Sequence, residues 1–553
     1  MAKIWKHVFF VFTLLLLALV LGGLVTASAQ GTTTYRVCTA GPPTCDFSSI
    51  QAAVDAAADG DTIQVAEGKY SAVQSRPAPA GYPGPATITQ VLYISKSVTI
   101  RGGYTTGNWA DSDPEAHPTI LDAQDRGRVL FIAGDISPTI EGLILTNGNA
   151  TGLGGSPWTD AGGGIYILTA TATLQNCVVE ANIGGTSSWG GTGGGLYLTS
   201  SQAVIRNNLF RHNAAAVAGT GYGGGLSLYN DRAAVSGNEV YSNTASLAGW
   251  GYGGGVSLYA SNAVLTDNEI YSNTASSADL GYGGGIHAAK GHALLADNTI
   301  QENTASTASD GYGGGIALDQ VLAVIVRTAI TSNKATSDVG SYGYGGGLDL
   351  WKSDAVLVGD IIRDNAAGDS TWGYGGGFSV SNSTMQLINT AILGNRAEEE
   401  GSGLLLSGST ISLTHTTLAQ NIGGDGSGLH LANNSSAVLT NTILVSHTVG
   451  ITATVDSRAT LDGVLWNGNV ANSGGLGLVT VAHATTGSPA FAADGYHLTA
   501  ASAALDAGID AGVTQDIDNS LRPYQAPDLG ADEYWPPGAL HRLFLPLVMR
   551  QTP

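Results

Sequence analysis

Four side chains that can do chemistry stand close to one repeating distance apart: His287, Asp319, Asp349 and Trp351. Two carboxyl groups beside an aromatic platform suit hydrolysis of a glycosidic bond, in which one carboxyl protonates the leaving oxygen and the other acts from the opposite face of the sugar. An imidazole beside them adds a group that changes charge near neutral pH. These residues meet only if the chain repeats with the same period.

It does. A glycine triplet or a close relative begins at Gly162, Gly193, Gly223, Gly253, Gly283, Gly313, Gly345, Gly375, Gly401 and Gly426, in steps of 31, 30, 30, 30, 30, 32, 30, 26 and 25 residues. A fixed period of this length marks a solenoid. In the unit from Gly253 to Ser276, Val256, Leu258, Val264 and Ile270 are apolar with small or polar residues between them. Alternation in short runs separated by Ser, Asn, Asp and Gly predicts three short strands per coil, hence an all-β, three-sheet solenoid. An Asn recurs once per coil, at Asn182, Asn213, Asn243, Asn273, Asn303, Asn333, Asn365, Asn395 and Asn421, where stacked amides can bond from coil to coil. The triplets serve backbone geometry, because no helix follows them to build a phosphate cradle.

Alternation in the strand after each triplet predicts an outward row reading Tyr166, Tyr197, Ser227, Ser257, His287, Ala317, Asp349, Ser379, Leu405 and His430. A second row holds Tyr229, Tyr259, Asp319 and Trp351. The four opening residues therefore fall on adjacent coils, either as a catalytic group or as polar residues sharing a solvated face.

From the repeated Asn to the next triplet takes 10 to 12 residues in the seven coils from Asn182 to Asn365, but only 6 and 5 after Asn395 and Asn421. A wall of loops is expected over those seven coils. Six of the loops end in Tyr222, Tyr252, Tyr282, Tyr312, Tyr344 and Tyr374, with Trp189, Trp250 and Trp372 nearby. Rings repeating at coil spacing can stack on sugar rings or on a partner, or pack on one another as a spine.

The ends differ from the middle. Lys3 and Lys6, an apolar run from Val8 to Val25, and Ala27-Ser28-Ala29 form a secretion signal over 1–29. Export into an oxidising compartment fits a local disulfide between Cys38 and Cys45, with Cys177 a buried thiol. In FSSIQAAVDAAADGDTIQVAEGKY, Phe47 to Tyr70, Ser48 and Gln51 have capping-box spacing and Ile50 and Val54 share a face, which predicts a short helix covering the open end of the solenoid. The boundaries expected are 30–90 for this cap and the first strands, 91–480 for the repeats, 481–535 for a closing region and 536–553 for a tail containing LFLPLV. No segment of the mature chain is long and apolar enough to span a membrane. A formal charge of -21 disfavours nucleic acid and anionic lipid as partners.

The repeat NxA, loop, YGGG(L/I/V) resembles that of bacterial polymorphic outer-membrane proteins and of single-stranded right-handed parallel β-helices with the pectate-lyase fold, over roughly residues 90 to 470. The N-terminal cap is similar to that of pectin-methylesterase-like β-helices. The stretch Ser502 to Tyr534, through Asp506, Gly508, Asp516, Asp518, Arg522, Pro523, Asp528, Gly530, Ala531 and Glu533, resembles the choice-of-anchor Q region of secreted bacterial β-helices. That resemblance implies a secreted or surface-attached bacterial protein. The chain departs from the enzymes of the fold: it has no adjacent Asp pair and no RIK tripeptide, and EGKY at Glu67 to Tyr70 lacks the following acid of the methylesterases. Asp516, Asp518 and Asp528 either hold Ca²⁺ as a cofactor through their oxygens, or pair with Arg522 and cap turns.

The expected function is non-catalytic adhesion, or binding of an extracellular polysaccharide or cell-surface component, through the tyrosine wall. The alternative is a polysaccharide lyase or glycoside hydrolase using Asp319, Asp349 and His287. A lyase also needs a cation beside its acids, and the strand rows offer only Lys290 and Lys352 at their margin.

Overall fold

The computed structural model describes residues 32–369 and 372–538. The expected signal at 1–29 and the tail from 539 onward lie outside the described residues.

Every coil is built by one local rule. After Gly253 come strands Val256–Tyr259, Val264–Thr266 and Glu269–Tyr271. The corner between the last two, and the corner that follows the third, need no loop. Asp267 (φ 55) and Ser272 (φ 52) adopt the left-handed conformation, and the residue after each, Asn268 and Asn273, turns its amide into the interior. In such a corner one left-handed residue redirects the strand while the Asn binds the backbone groups that the bend exposes. Asn273 donates through Nδ2 to Asn303 Oδ1 at 3.0 Å and to the Val240 carbonyl at 2.8 Å, and Asn303 Oδ1 also accepts from the Asn273 backbone N–H at 3.0 Å. The column continues to Asn421, whose amide meets His447 Nε2 at 3.2 Å.

Glycine is required in the triplet for two separate reasons. Gly253 has φ +67, and a Cβ on Gly254 would lie 2.4 Å from the Gly284 carbonyl oxygen.

Stacking these coils gives parallel sheets whose register never slips along the repeats. A 15-stranded sheet runs through the strands that follow the triplets, 14 of them parallel, because its first member, Gln74–Pro77, pairs antiparallel. A 29-stranded sheet carries the other two strands of each coil as two ladders, which fuse in the long strands Ser436–Val445 and Arg458–Asn467. Leu258, Leu265 and Ile270 and their equivalents fill the interior. Each such side chain contributes roughly 1.5–3 kcal/mol by leaving water.

The expected loop wall is itself regular. Its seven- and eight-stranded ladders are made of short strands such as Thr274–Ser276 and Gly281–Tyr282. Besides the three expected sheets, the coils therefore carry two narrow extra ladders.

Parallel pairing begins at Thr34–Val37, inside the segment assigned to the cap. The helix is Ile50–Ala56, with Ile50, Ala53 and Val54 buried. Its N-cap is Ser49, not Ser48, and Gln51 does not complete a capping box. Gln51 instead clamps a neighbouring strand, accepting from the Tyr93 N–H at 2.7 Å and donating to the Tyr93 carbonyl at 3.1 Å. Cys38 and Cys45 are joined, with Cα atoms 6.0 Å apart, and Cys177 is buried and free.

The last rung comprises Ala471–Gly475, Leu478–Val481 and Ala484–Thr486. The closing region then turns back along the flank. Tyr496, Leu498, Ile517 and Leu529 pack on Ala391, Ala419, Ile443 and Val445 rather than over the end. No helix among the described residues is long and apolar enough to cross a membrane.

Candidate functional site

The register places the four opening residues as the period predicted. His287 pairs with Ala317 and Ala317 with Asp349, while Asp319 pairs with Trp351. Asp319 and Asp349 are thus diagonal neighbours on adjacent strands, about 8 Å apart between Cα atoms at the usual strand spacing and rise.

The first row is not a solvated face. His287, Ser257 and Ser379 are buried, because the wall of narrow ladders folds over them, while Asp349 and Asp319 are partly exposed and Trp351 is 40% exposed. Between wall and strand face runs a trough of about 530 Å³, lined by Tyr252, Tyr282, Tyr312, Tyr344, His287, Asp319, Asp349, Trp351, Ser379 and Ser381. The carboxyl cluster and the tyrosine wall, separate expectations from the sequence, are two sides of one site.

The tyrosines stack on one another. Successive ring centroids from Tyr222 to Tyr374 lie 4.9, 4.9, 4.7, 5.2 and 5.2 Å apart and nearly parallel. Their faces are occupied by each other, so they present edges and hydroxyls, not a stacking platform for sugar rings. Trp351 does offer a ring to solvent, with Lys352 Nζ 4.1 Å from its centroid.

The covering wall tunes the titrating groups. Burial holds His287 down to about 4, so its imidazole is neutral at neutral pH. Its Nδ1 has no hydrogen-bond partner among the described residues, and its ring lies 5.0 Å from that of Tyr252. Burial pushes Asp349 up to about 7, helped by the Asp319 charge and opposed by the Ser379 hydroxyl. Burial, and then the carboxylates at Asp349 and Asp319, raise Tyr282, which keeps its phenol a neutral donor.

The C-terminal carboxylates have another role. Asp516 Oδ1 accepts from the N–H groups of Asp518 and Ser520 at 3.0 and 2.8 Å, and Asp528 accepts from Asp506 and Tyr534 at 2.6 and 2.8 Å. Both hold turns around the buried Arg522. Asp518 turns away to His497, so the three proposed Ca²⁺ ligands do not converge. The metal-sized group that does form among the described residues is His497, Asp518 and Asp532. Carboxylates bond both of the His497 ring nitrogens, Asp494 at Nδ1 and Asp518 at Nε2.

Sequence reasoning missed a second amide column, Asn208, Asn238, Asn268 and Asn298, bonded Nδ2 to Oδ1 at 3.0 Å each. Its 30-residue spacing was the available signal. It also missed the aromatic group of Trp158 with Tyr229 and Tyr259, at centroid distances of 6.1 and 6.4 Å.

A family model described as a right handed beta helix region matches residues 131–384. No curated protein matches in sequence. Among solved structures, the chain is similar to the A-module of a mannuronan C-5 epimerase from Azotobacter vinelandii, at 14% identity over 80% of this chain and 94% of that one, with TM-score 0.31. It is similar to a pectate lyase at 12% identity over 91% and 97%, with TM-score 0.26. It is also similar to the tailspike protein of E. coli bacteriophage HK620 in complex with a pentasaccharide, at 11% identity over 79% and 76%, with TM-score 0.25. The chain is a right-handed parallel β-helix, and at these identities the likeness is one of fold.

Proposed function

We propose that the trough between the tyrosine wall and the strand face binds an uncharged polysaccharide lying along the solenoid axis, outside the cell. One observation carries this reading: the trough is lined by tyrosine edges, serines, two carboxyl groups and Trp351, with no Lys or Arg in its lining. Hydroxyl donors and acceptors in a half-buried channel match the hydroxyl-rich edge of a neutral sugar chain. A polyuronate would bring its charges against the Asp319 carboxylate and the raised Asp349 carboxyl in a lining that holds no Lys or Arg among the described residues. Secretion and surface attachment, implied by the two termini, complete a role in adhesion or glycan capture.

A glycan array containing neutral and uronate oligosaccharides tests the reading. Binding confined to neutral glycans and lost in Trp351→Ala supports it; preference for uronates, or no binding, rejects it.

The raised Asp349 favours a second reading, hydrolysis. A carboxyl that keeps its proton to about pH 7 beside a second carboxyl is the pair that a glycoside hydrolase uses. Release of reducing sugar that disappears in Asp349→Asn would replace binding with catalysis as the function of this trough.

A further inference from the structure

Three rungs further along the same row, Asp349 pairs with Ser379, Ser379 with Leu405 and Leu405 with His430. At the parallel spacing that is about 14 Å from Asp349. Here the tall wall has ended, and Glu400 takes the next place after Tyr374 in the tyrosine column.

His430 Nδ1 lies 2.6 Å from Asp425 Oδ2. The carboxylate accepts that N–H and thereby leaves the lone pair on Nε2. That nitrogen is buried and has no partner among the described residues, since Glu400 Oε2, at 3.9 Å, is beyond hydrogen-bond reach. Asp425 already secures its own short loop, accepting from the Ser427 hydroxyl at 2.6 Å and the Gly401 N–H at 3.2 Å, so anchoring the loop does not account for the free Nε2. An orphaned buried acceptor is rare in a folded protein. His430 borders a trough of about 850 Å³ together with Glu400, Asn433, Asn434, Thr454 and Asp456.

We propose that His430 and Glu400 form a second contact for the same glycan chain, His430 Nε2 and the Glu400 carboxylate each accepting a hydrogen bond from a sugar hydroxyl. The inference rests on the glycan reading above and adds to it that the ligand is a chain of several sugars, since one molecule must reach from Asp349 to His430.

Calorimetry with cellobiose and cellohexaose, and with their xylan and mannan counterparts, tests it. The wild type is expected to bind the hexamer more tightly than the dimer, which is too short to reach both contacts. His430→Asn keeps a donor for Asp425 but its shorter side chain places no acceptor where Nε2 stood, so it is expected to lower hexamer affinity roughly threefold to tenfold, the range of one hydrogen bond, and to leave the dimer unchanged. Glu400→Ala, which removes the acceptor at a half-exposed position, is expected to act in the same direction. Equal hexamer affinity in both variants overturns the second contact while the glycan reading stands. Absence of binding of any oligosaccharide by the wild type overturns both.

A separate observation concerns the end of the solenoid. At the N-terminal end the helix plugs the interior and antiparallel Gln74–Pro77 closes one sheet. At the other end, among the described residues, the last rung pairs only with the rung before it. Val470, Leu476 and Leu478 there are 85, 88 and 62% exposed. Between Asp462 and Asp494 the chain contains no Asp, Glu, Lys or Arg. A protein of charge -21 repels its own copies except at such a surface.

We infer that two copies meet tail to tail through this rung, edge against edge, in an isologous contact that closes at a dimer. Light scattering of the purified protein over a range of concentrations is expected to find a dimer, and Leu478→Lys with Val481→Lys a monomer of unchanged melting temperature. A wild type that stays monomeric at every concentration, even with its last rung protected from amide exchange, overturns the inference.

Discussion

The His287 imidazole lies against Tyr252, ring centroids 5.0 Å apart, with its Nδ1 unpartnered beneath the wall. A strand residue that alternation turns outward is thereby enclosed, because two-residue strands such as Gly251–Tyr252 extend over it. The enclosure carries the chemistry of the trough: it holds the imidazole neutral at neutral pH and raises one nearby carboxyl, that of Asp349, to about 7.

This predicts an acid-sensitive wall. Burial sets the folded value of His287 at about 4, below its ordinary 6.5, so between these values the unfolded chain takes up the proton first. The contribution of neutral His287 is complete above the upper value and falls as the pH drops through the window. Urea unfolding of wild type and His287→Leu should diverge on the acid side, the wild type losing about 2–3 kcal/mol more between pH 7 and pH 4.

Asp349 has the opposite sign. Its folded value, about 7, lies above its ordinary 3.8, so the folded chain retains a proton that the unfolded chain loses, and stability falls as the pH rises through that window. Asp349→Asn removes this penalty. It should raise stability at pH 8 by about 2 kcal/mol, discounted for partial exposure, and leave stability at pH 4 unchanged within error. Guanidinium melts at both values check it. An equal gain at both would mean that the amide acts by packing and that Asp349 does not hold its proton in the fold.

The stacked tyrosines predict a separation of stability from binding. Tyr312 stacks on Tyr282 at 4.7 Å and on Tyr344 at 5.2 Å, so Tyr312→Ala opens a gap in the spine and should cost about 2–4 kcal/mol. Tyr312→Phe keeps both stacks and should change stability by less than about 1 kcal/mol. If the hydroxyls meet the ligand, Phe at 282 and 312 together should weaken glycan binding while the melting temperature holds. Unchanged binding would leave the column a spine alone.

The coil, the Asn column and the outward rows were legible because each depends on a fixed residue type at a fixed interval. The capping helix was legible to within a residue, but Ser48 and Ser49 present the same hydroxyl and only the chain path selects between them. What alternation does not encode is coverage. His287 is outward by its parity in the strand and yet buried, since the residues that enclose it belong to other segments of the coil. The trough was missed for the same reason: its two sides were both read, but their meeting depends on how far the narrow ladders fold over. Asp518 illustrates a different limit. Its sequence neighbours suggested a common site with Asp516 and Asp528, whereas His497, 21 residues earlier, draws it away.

Arg522 predicts how the flank is fastened. Its buried guanidinium donates to the carbonyls of Asp528 at 2.9 Å, Gly530 at 3.2 Å and Ala531 at 3.0 Å, and Glu533 lies 3.5 Å away. Burial lowers its pKa, but a guanidinium remains charged at any pH the fold survives. Replacing it by Met leaves Glu533 buried without its counter-charge and three carbonyls without a donor, a loss of about 3–5 kcal/mol concentrated in one segment. The coils beneath keep their own amide columns, so the damage should stay local. Amide exchange of Arg522→Met should show residues 491–535 opening while the strands from Val256 to Ile392 remain protected. Limited proteolysis should cut the same stretch first. Uniform loss of protection along the chain would instead make the flank a stabilising part of the solenoid itself and not a segment fastened onto it.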